Sequence, residues 1–310
     1  KAGQPSLWRG NVLGDLVDRN ADWIPPQWDA LSGATTIEDM ESGTTNGTRP
    51  HAGSRDIDFT INGVLIQTDD GGIFRRTNPQ TKDGDWESLA GDLNIFEYHS
   101  VAYDTTGDWV IAGSIDNGTQ QALDTDATVE FEIIQGNGSG GDVSVGYLPD
   151  TGNSVRYYGR TGLQTRIFDA SGNAVGGATT QGLAESDGST FIPQRYTPIA
   201  ANAVFGDQVI LGGTTGIYES FDFGDTIVNA SVDSGTIVAT DGAAGPLAYG
   251  GFSSNSYGDN EYVIYAGDAN GRVWVRVESA GDFTADSNFG GKAIQDIEIN
   301  PSEWTEAYVV

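Results

Sequence analysis

The chain has 310 residues, 15 basic against 44 acidic side chains, a formal net charge of −29 and no cysteine. A surface this acidic repels the phosphates of nucleic acid and of anionic lipid, so neither is expected as a partner. Without cysteine there is no disulfide and no thiolate metal site, and no apolar run approaches the ~20 residues of a spanning helix, so membrane insertion is not expected.

Taken from the first residue, helix signals are almost absent and short β-branched runs bounded by turn formers dominate, with 44 glycines spread along the chain. That composition and period describe an all-β protein. Residues 6–10 and 27–31 read as two strands, separated by an insertion over 11–26 and followed by a polar loop over 35–50. Residues 11–50 are therefore read as insertion and loop. Groups of four strands follow. The first group is 56–61, 64–67, 73–77 and 86–89, and the second is 100–103, 109–112, 119–123 and 128–134. The third is 143–147, 155–158, 164–168 and a weak strand near Thr179, after which 176–194 reads as an exposed loop. The fourth is 200–205, 208–211, 217–220 and 226–230; the fifth is 246–251, 262–266, 272–277 and a poor strand near Phe283. Residues 293–300 and 307–310 supply two more strands.

A glycine-led phrase recurs at Gly71-Gly72-Ile73-Phe74, Asn117-Gly118-Thr119, Thr161-Gly162-Leu163, Thr215-Gly216-Ile217 and Asn270-Gly271-Arg272, a spacing of roughly 45–55 residues. That is the period of a four-stranded propeller blade. The reading is one β-propeller domain over 1–310. Six blades are favoured, the sixth completed by strands from both termini, and seven would require residues beyond the ends. The chain begins without methionine and ends on Ala307-Tyr308-Val309-Val310, which reads as mid-strand, so it is expected to be a piece of a longer protein.

Three segments carry a family resemblance: Asp69-Asp70-Gly71-Gly72-Ile73-Phe74-Arg75-Arg76-Thr77 with Trp86, Asp116-Asn117-Gly118-Thr119-Gln120, and Gly140-Gly141-Asp142-Val143. A fourth, Ser220-Phe221-Asp222-Phe223-Gly224-Asp225-Thr226, is similar to the Ser-x-Asp-x-Gly-x-Thr-Trp turn between third and fourth strands, without the tryptophan. From about Ser54 onward the chain resembles the Asp-box propellers, which include sortilin-type ectodomains, bacterial xyloglucanases and bacterial cell-surface proteins. The resemblance implies a propeller fold and an extracellular or cell-surface setting, and leaves activity open, because one fold hosts many functions.

Turn aspartates such as Asp222 and Asp225 are expected to hold backbone donors. If the chain is a xyloglucanase-like glycoside hydrolase, Asp70 with Asp116 or Asp142 would be the acid pair, since glycosidases need two carboxylates flanking the bond. Two oxygen-rich clusters are candidate calcium ligands: Asp15, Asp18, Asn20 and Asp22 in the insertion, and Asp268 with Asn270. No other cofactor is indicated. The two histidines, His51 and His99, read as structural. Trp23 and Trp28, beside a Pro-Pro pair, are the candidate ligand-binding aromatics. The favoured function is a non-enzymatic module of a large extracellular protein, mediating adhesion or binding of a protein or glycan alongside other domains of its parent chain. The glycoside hydrolase is the alternative.

Overall fold

A computed structural model describes residues 8–11, 27–30, 50, 55–69, 72–79, 84–89, 97–115, 117–123, 132–135, 139–188, 190–231, 238–240, 246–279, 281–286 and 290–310, with the backbone alone for 8–11, 27–30 and 286. The chain divides into two compact units, Lys1–Phe96 and Glu97–Val310.

In the first unit, strands β1 (Trp8–Asn11) and β2 (Gln27–Ala30) form an antiparallel pair. Strands β3 (Asp56–Phe59), β4 (Leu65–Asp69), β5 (Gly72–Arg76) and β6 (Trp86–Ser88) form an antiparallel meander. Alternation buries Leu65, Gln67 and Asp69 on one face of β4, as the period-2 geometry of a strand requires. Trp86 is fully buried, and the Arg76 guanidinium lies 5.4 Å from its ring centroid.

The second unit repeats this meander. Its sheets comprise β7 (Tyr98–Asp104), β8 (Trp109–Ser114), β9 (Thr119–Leu123) and β10 (Glu132–Gln135), then β11 (Asp142–Leu148), β12 (Asn153–Gly159), β13 (Gln164–Phe168) and β14 (Thr179–Thr180). The next sheet has five strands: β15 (Ala184–Glu185) followed by β16 (Ile199–Ala201), β17 (Val209–Gly212), β18 (Ile217–Ser220) and β19 (Thr226–Asn229). Then come β20 (Leu247–Gly251), β21 (Asn260–Gly267), β22 (Val273–Arg276) and β23 (Thr284–Asp286), and finally the pair β24 (Ile297–Asn300) and β25 (Glu303–Val309). The weak strands near Thr179 and Phe283 are present. The expected 176–194 loop differs from expectation at β15, which runs parallel to β19 through Ala184↔Thr226 and Glu185↔Ile227. A two-residue pairing is too short to leave a period in the sequence.

Apolar side chains from facing sheets build the core. One cluster joins Val155 and Tyr157 of β12 to Ile199, Val209, Leu211 and Tyr218 of the next sheet. A second joins Ile210 and Ile217 to Tyr249, Ile264 and Ala266, and a third joins Val273 to Ile294 and Ile297. Within the second unit these three clusters cover the β11, β16 and β20 sheets each by its successor, as stacked repeats require. Close approach explains Gly141 at the entry to β11: a β-carbon there would run into the Gly159 carbonyl.

Candidate functional site

The first strands of the five sheets in the second unit, β7, β11, β16, β20 and β24, together line a cavity of about 630 Å³. Its walls include Tyr98, His99, Val101, Tyr249, Asp296 and Glu298. A second cavity of about 450 Å³ shares Tyr103, Val145, Ala203 and Phe252 with the first and adds Thr105, Thr106 and Tyr147. The two adjoin at these shared residues, making one recess of two pockets along the first strands. Small residues at Ala102, Ala200, Ala201 and Ala248 keep its walls thin. No lysine or arginine lines either cavity.

Asp142 sits beside this recess as a fully buried strand pin. Its Oδ1 accepts the Ser100 hydroxyl at 2.5 Å and the Val143 amide at 2.9 Å, and its Oδ2 accepts the Ile199 amide at 2.7 Å. One carboxylate therefore joins β7, β11 and β16. Burial pushes its pKa up to about 7, against the opposing pull of those three donors. Its oxygens are directed into protein, so a substrate has no access to them.

Asp268 is similarly occupied. Its Oδ1 accepts the amides of Asn270 at 2.8 Å and Arg272 at 3.0 Å, while its Oδ2 accepts Arg272 Nε at 2.6 Å and Trp274 Nε1 at 3.1 Å. This aspartate closes the turn between β21 and β22, and both of its oxygens accept protein donors. Among the described residues there is no group of three His, Asp or Glu side chains that could hold a metal. Asp70, Asp116, Asp15, Asp18, Asn20, Asp22, Trp23 and His51 lie outside the described residues, and Trp28 is placed by its backbone alone, on β2. His99 packs edge-on against Tyr196 at 4.7 Å, with Nε2 3.3 Å from the Gly140 carbonyl; burial lowers its pKa, favouring the neutral ring.

Two carboxylates do line the larger cavity. Asp296 and Glu298 are two residues apart, a spacing that in extended chain puts both on one face, about 7 Å apart along the strand. Ile297 and Ile299, between and beside them, turn to the neighbouring sheet. Burial raises both pKa values, and the charge of Asp296 raises that of Glu298 further. In the sequence these two carboxylates sit in a connecting phrase between sheets with no acid-pair signature, and only the fold brings both to one cavity.

The turn from Ser220 to Thr226 joins the third and fourth strands of its sheet. Asp222 accepts the Thr226 amide at 2.9 Å and hydroxyl at 2.7 Å, and the Ser220 hydroxyl at 2.9 Å. Phe223 and Gly224 take left-handed backbone there, with φ of 65° and 95°. Partial burial alone would raise the Asp222 pKa, but these bonds outweigh it and hold the carboxyl below its usual value. Asp169 closes the equivalent turn of the preceding sheet, accepting the amides of Ser171 and Asn173 at 2.9 Å each.

Buried arginines bridge neighbouring sheets. Arg156 of β12 reaches Asp104 at 2.8 Å and Gln121 at 2.5 Å, with its guanidinium 3.6 Å from the Phe168 ring centroid. Arg276 of β22 pairs with Glu219 of β18. These arginines carried no sequence signal beyond their strand positions.

No protein-family model matches the chain, and no curated protein matches it. Among solved structures, a GH74 enzyme of Niastella koreensis aligns with a TM-score of 0.50 at 16% identity, over 91% of this chain and 38% of that one. An ancestral GH74 enzyme aligns at 0.42 and 16% identity, over 82% of this chain and 34% of that one. The WD40 repeats of RRP9 align at 0.41 and 9% identity, over 80% and 71%. The chain thus spans little more than a third of the GH74 enzymes it resembles. With its repeated antiparallel meanders, the chain is a β-propeller. At these identities the likeness extends to fold alone.

Proposed function

We propose that this chain is a non-catalytic binding propeller, one module of a larger extracellular or cell-surface protein, and that its ligand, a protein or glycan, enters the recess along the inner strands. The observation that carries this reading is the state of four aspartates beside the recess and in the turns. Asp142, Asp268, Asp222 and Asp169 all spend their oxygens on protein donors, while the recess is lined mainly by aromatic, aliphatic and backbone groups. Such a surface suits a held ligand more than a cleaved one.

Glycoside hydrolysis remains the second reading because Asp296 and Glu298 share one cavity and both have raised pKa values. Incubation with xyloglucan and mixed-linkage β-glucan separates the two. The binding reading expects no new reducing ends; release that disappears in Asp296→Asn would overturn it.

A further inference from the structure

The inference deepens the binding reading above and rests on it. The smaller cavity opens at the end of the second unit where first strands turn into second strands. Its rim carries Tyr103, Tyr147 and Phe252, which are 44%, 46% and 42% exposed. Three half-exposed rings around one recess of about 450 Å³ form a stacking surface that core packing does not require.

The charge around that rim decides what it fits. The turns at this end are those joining first to second strands (105–108, 149–152, 202–208, 252–259 and 301–302) and those joining third to fourth strands. Their charged residues include Asp108, Asp150, Asp207 and Asp259 in the first set and Asp169, Asp222, Asp225, Glu278 and Asp282 in the second. No lysine or arginine occurs in any of them. The lysines and arginines of residues 97–310 are Arg156, Arg160, Arg166, Arg195, Arg272, Arg276 and Lys292. Arg156 and Arg276 are buried and ion-paired, and Arg166 lies within β13. Arg160, Arg195, Arg272 and Lys292 fall in second-to-third-strand turns or in the connections between sheets, at the opposite end. The antiparallel meander therefore sorts the charges: one end carries carboxylates alone, and the exposed cations gather at the other.

We infer that the aromatic rim is a docking site for a cationic segment of a partner protein, with an arginine or lysine side chain seated among Tyr103, Tyr147 and Phe252. Ring faces attract cations, and a guanidinium can stack on a ring while pairing with a carboxylate. The Tyr103 hydroxyl already donates to Asp108 at 3.1 Å, placing a negative charge at the ring's edge. The turn hydrogen bonds that hold Asp169 and Asp222 low in pKa also keep them charged. A bare divalent cation fits less well, since it wants six or more oxygens and the turn carboxylates are dispersed and engaged.

The test uses three probes against the whole chain: a short glycine-serine peptide carrying arginines, the same peptide with glutamates instead, and a neutral xyloglucan oligosaccharide. Binding is measured at low and at physiological salt. The arginine peptide should bind, weaken with salt, and lose about tenfold in affinity in Phe252→Ala, the scale of a desolvated cation–π contact. Asp150→Asn, a change on an exposed turn, should weaken it several-fold; a melting curve shows that each variant is folded. Arginine-peptide binding indifferent to Phe252→Ala would mean diffuse attraction to an acidic surface and would overturn the inference, as would binding of no probe or preference for the glutamate peptide. Oligosaccharide binding that Phe252→Ala abolishes would overturn the cationic ligand yet keep the binding module, whereas cleavage of that oligosaccharide would sink the module itself.

Discussion

Glu219 and Arg276 meet through two parallel hydrogen bonds, Nη2 to Oε1 at 2.7 Å and Nη1 to Oε2 at 2.9 Å, across 57 residues of sequence. Tyr249 adds a third donor to Oε1 at 2.6 Å. The three residues come from β18, β22 and β20, so the pair ties one sheet to the next at a point where both ions are nearly dry. Removing one partner leaves the other as an unpaired buried charge. Glu219→Ala should therefore destabilise the protein by about 3–5 kcal/mol. Replacing both ions with apolar residues of similar volume should recover most of that loss. Denaturant midpoints of the single and double variants check this; equal losses in both would refute it.

The second bridging arginine has a stricter geometry. Arg156 holds Asp104 with Nε and Nη2 and Gln121 with Nη1 while stacking on Phe168. A lysine has one point of charge and no plane, so Arg156→Lys should cost roughly 2–4 kcal/mol. Arg75 and Glu87, 2.6 Å apart but 51% and 42% exposed, form the control. Arg75→Ala should change stability by less than about 1 kcal/mol. Thermal melts of both variants make the comparison.

Asp142 should leave a mark on the pH dependence of stability. Its folded pKa is raised by burial to about 7 from a usual 3.8. The folded state therefore keeps a proton that the unfolded chain releases first. The associated stability is fully present below about pH 4, declines as pH rises from there, and is gone above about pH 7. Asp296 and Glu298 shift in the same direction and steepen the fall. In Asp142→Asn the slope between those values should flatten. That variant also sets an amide N–H against the Ile199 N–H, so its stability should drop by roughly 1–3 kcal/mol. Melting temperatures across that pH range read both effects, and an unchanged slope would count against the buried carboxyl.

Asp222 should behave in the opposite sense. Its pKa is lowered in the folded state, because bonds from Thr226 and Ser220 outweigh partial burial. Its contribution is present above the usual carboxylate pKa and disappears as pH falls through the lower folded value. Asp222→Ala should lose this acid-side dependence and cost about 1 kcal/mol, the scale of a turn-capping bond. Gly224→Ala, at a φ of 95°, should be at least as costly. Acid titration of the melting temperature distinguishes the two, since only the first removes the titrating group.

The sheets were legible in the sequence because each is local. The runs at Val64–Gln67, Ile73–Thr77 and Trp86–Leu89 pair with their immediate neighbours, and turn glycines such as Gly63 and Gly152 take the positive φ that such turns need. The bridging arginines were illegible because their partners lie 52 and 57 residues away, on sheets whose faces meet only after folding. Asp142 stands out in the sequence only through the family resemblance. The sequence could suggest that a carboxylate stands there, but not that Ser100 and Ile199 would close over it. The sorting of charge between the two ends of the second unit was hidden for the same reason: Asp150 and Arg160 are ten residues apart in the chain, and only the path of β12 between them sends them to opposite ends.

The strap formed by β15 has a consequence for how copies of this protein meet. By pairing in parallel with Thr226 and Ile227, Ala184 and Glu185 occupy the outermost amides and carbonyls of their sheet. The sheets on either side end instead in β14 and β23, of two and three residues. An open strand edge is the usual template on which one chain recruits another. Here half of the β19 edge is covered by a two-residue strand and the neighbouring edges are as brief, so crowding at high concentration finds little purchase for fibril growth on this stretch of the perimeter.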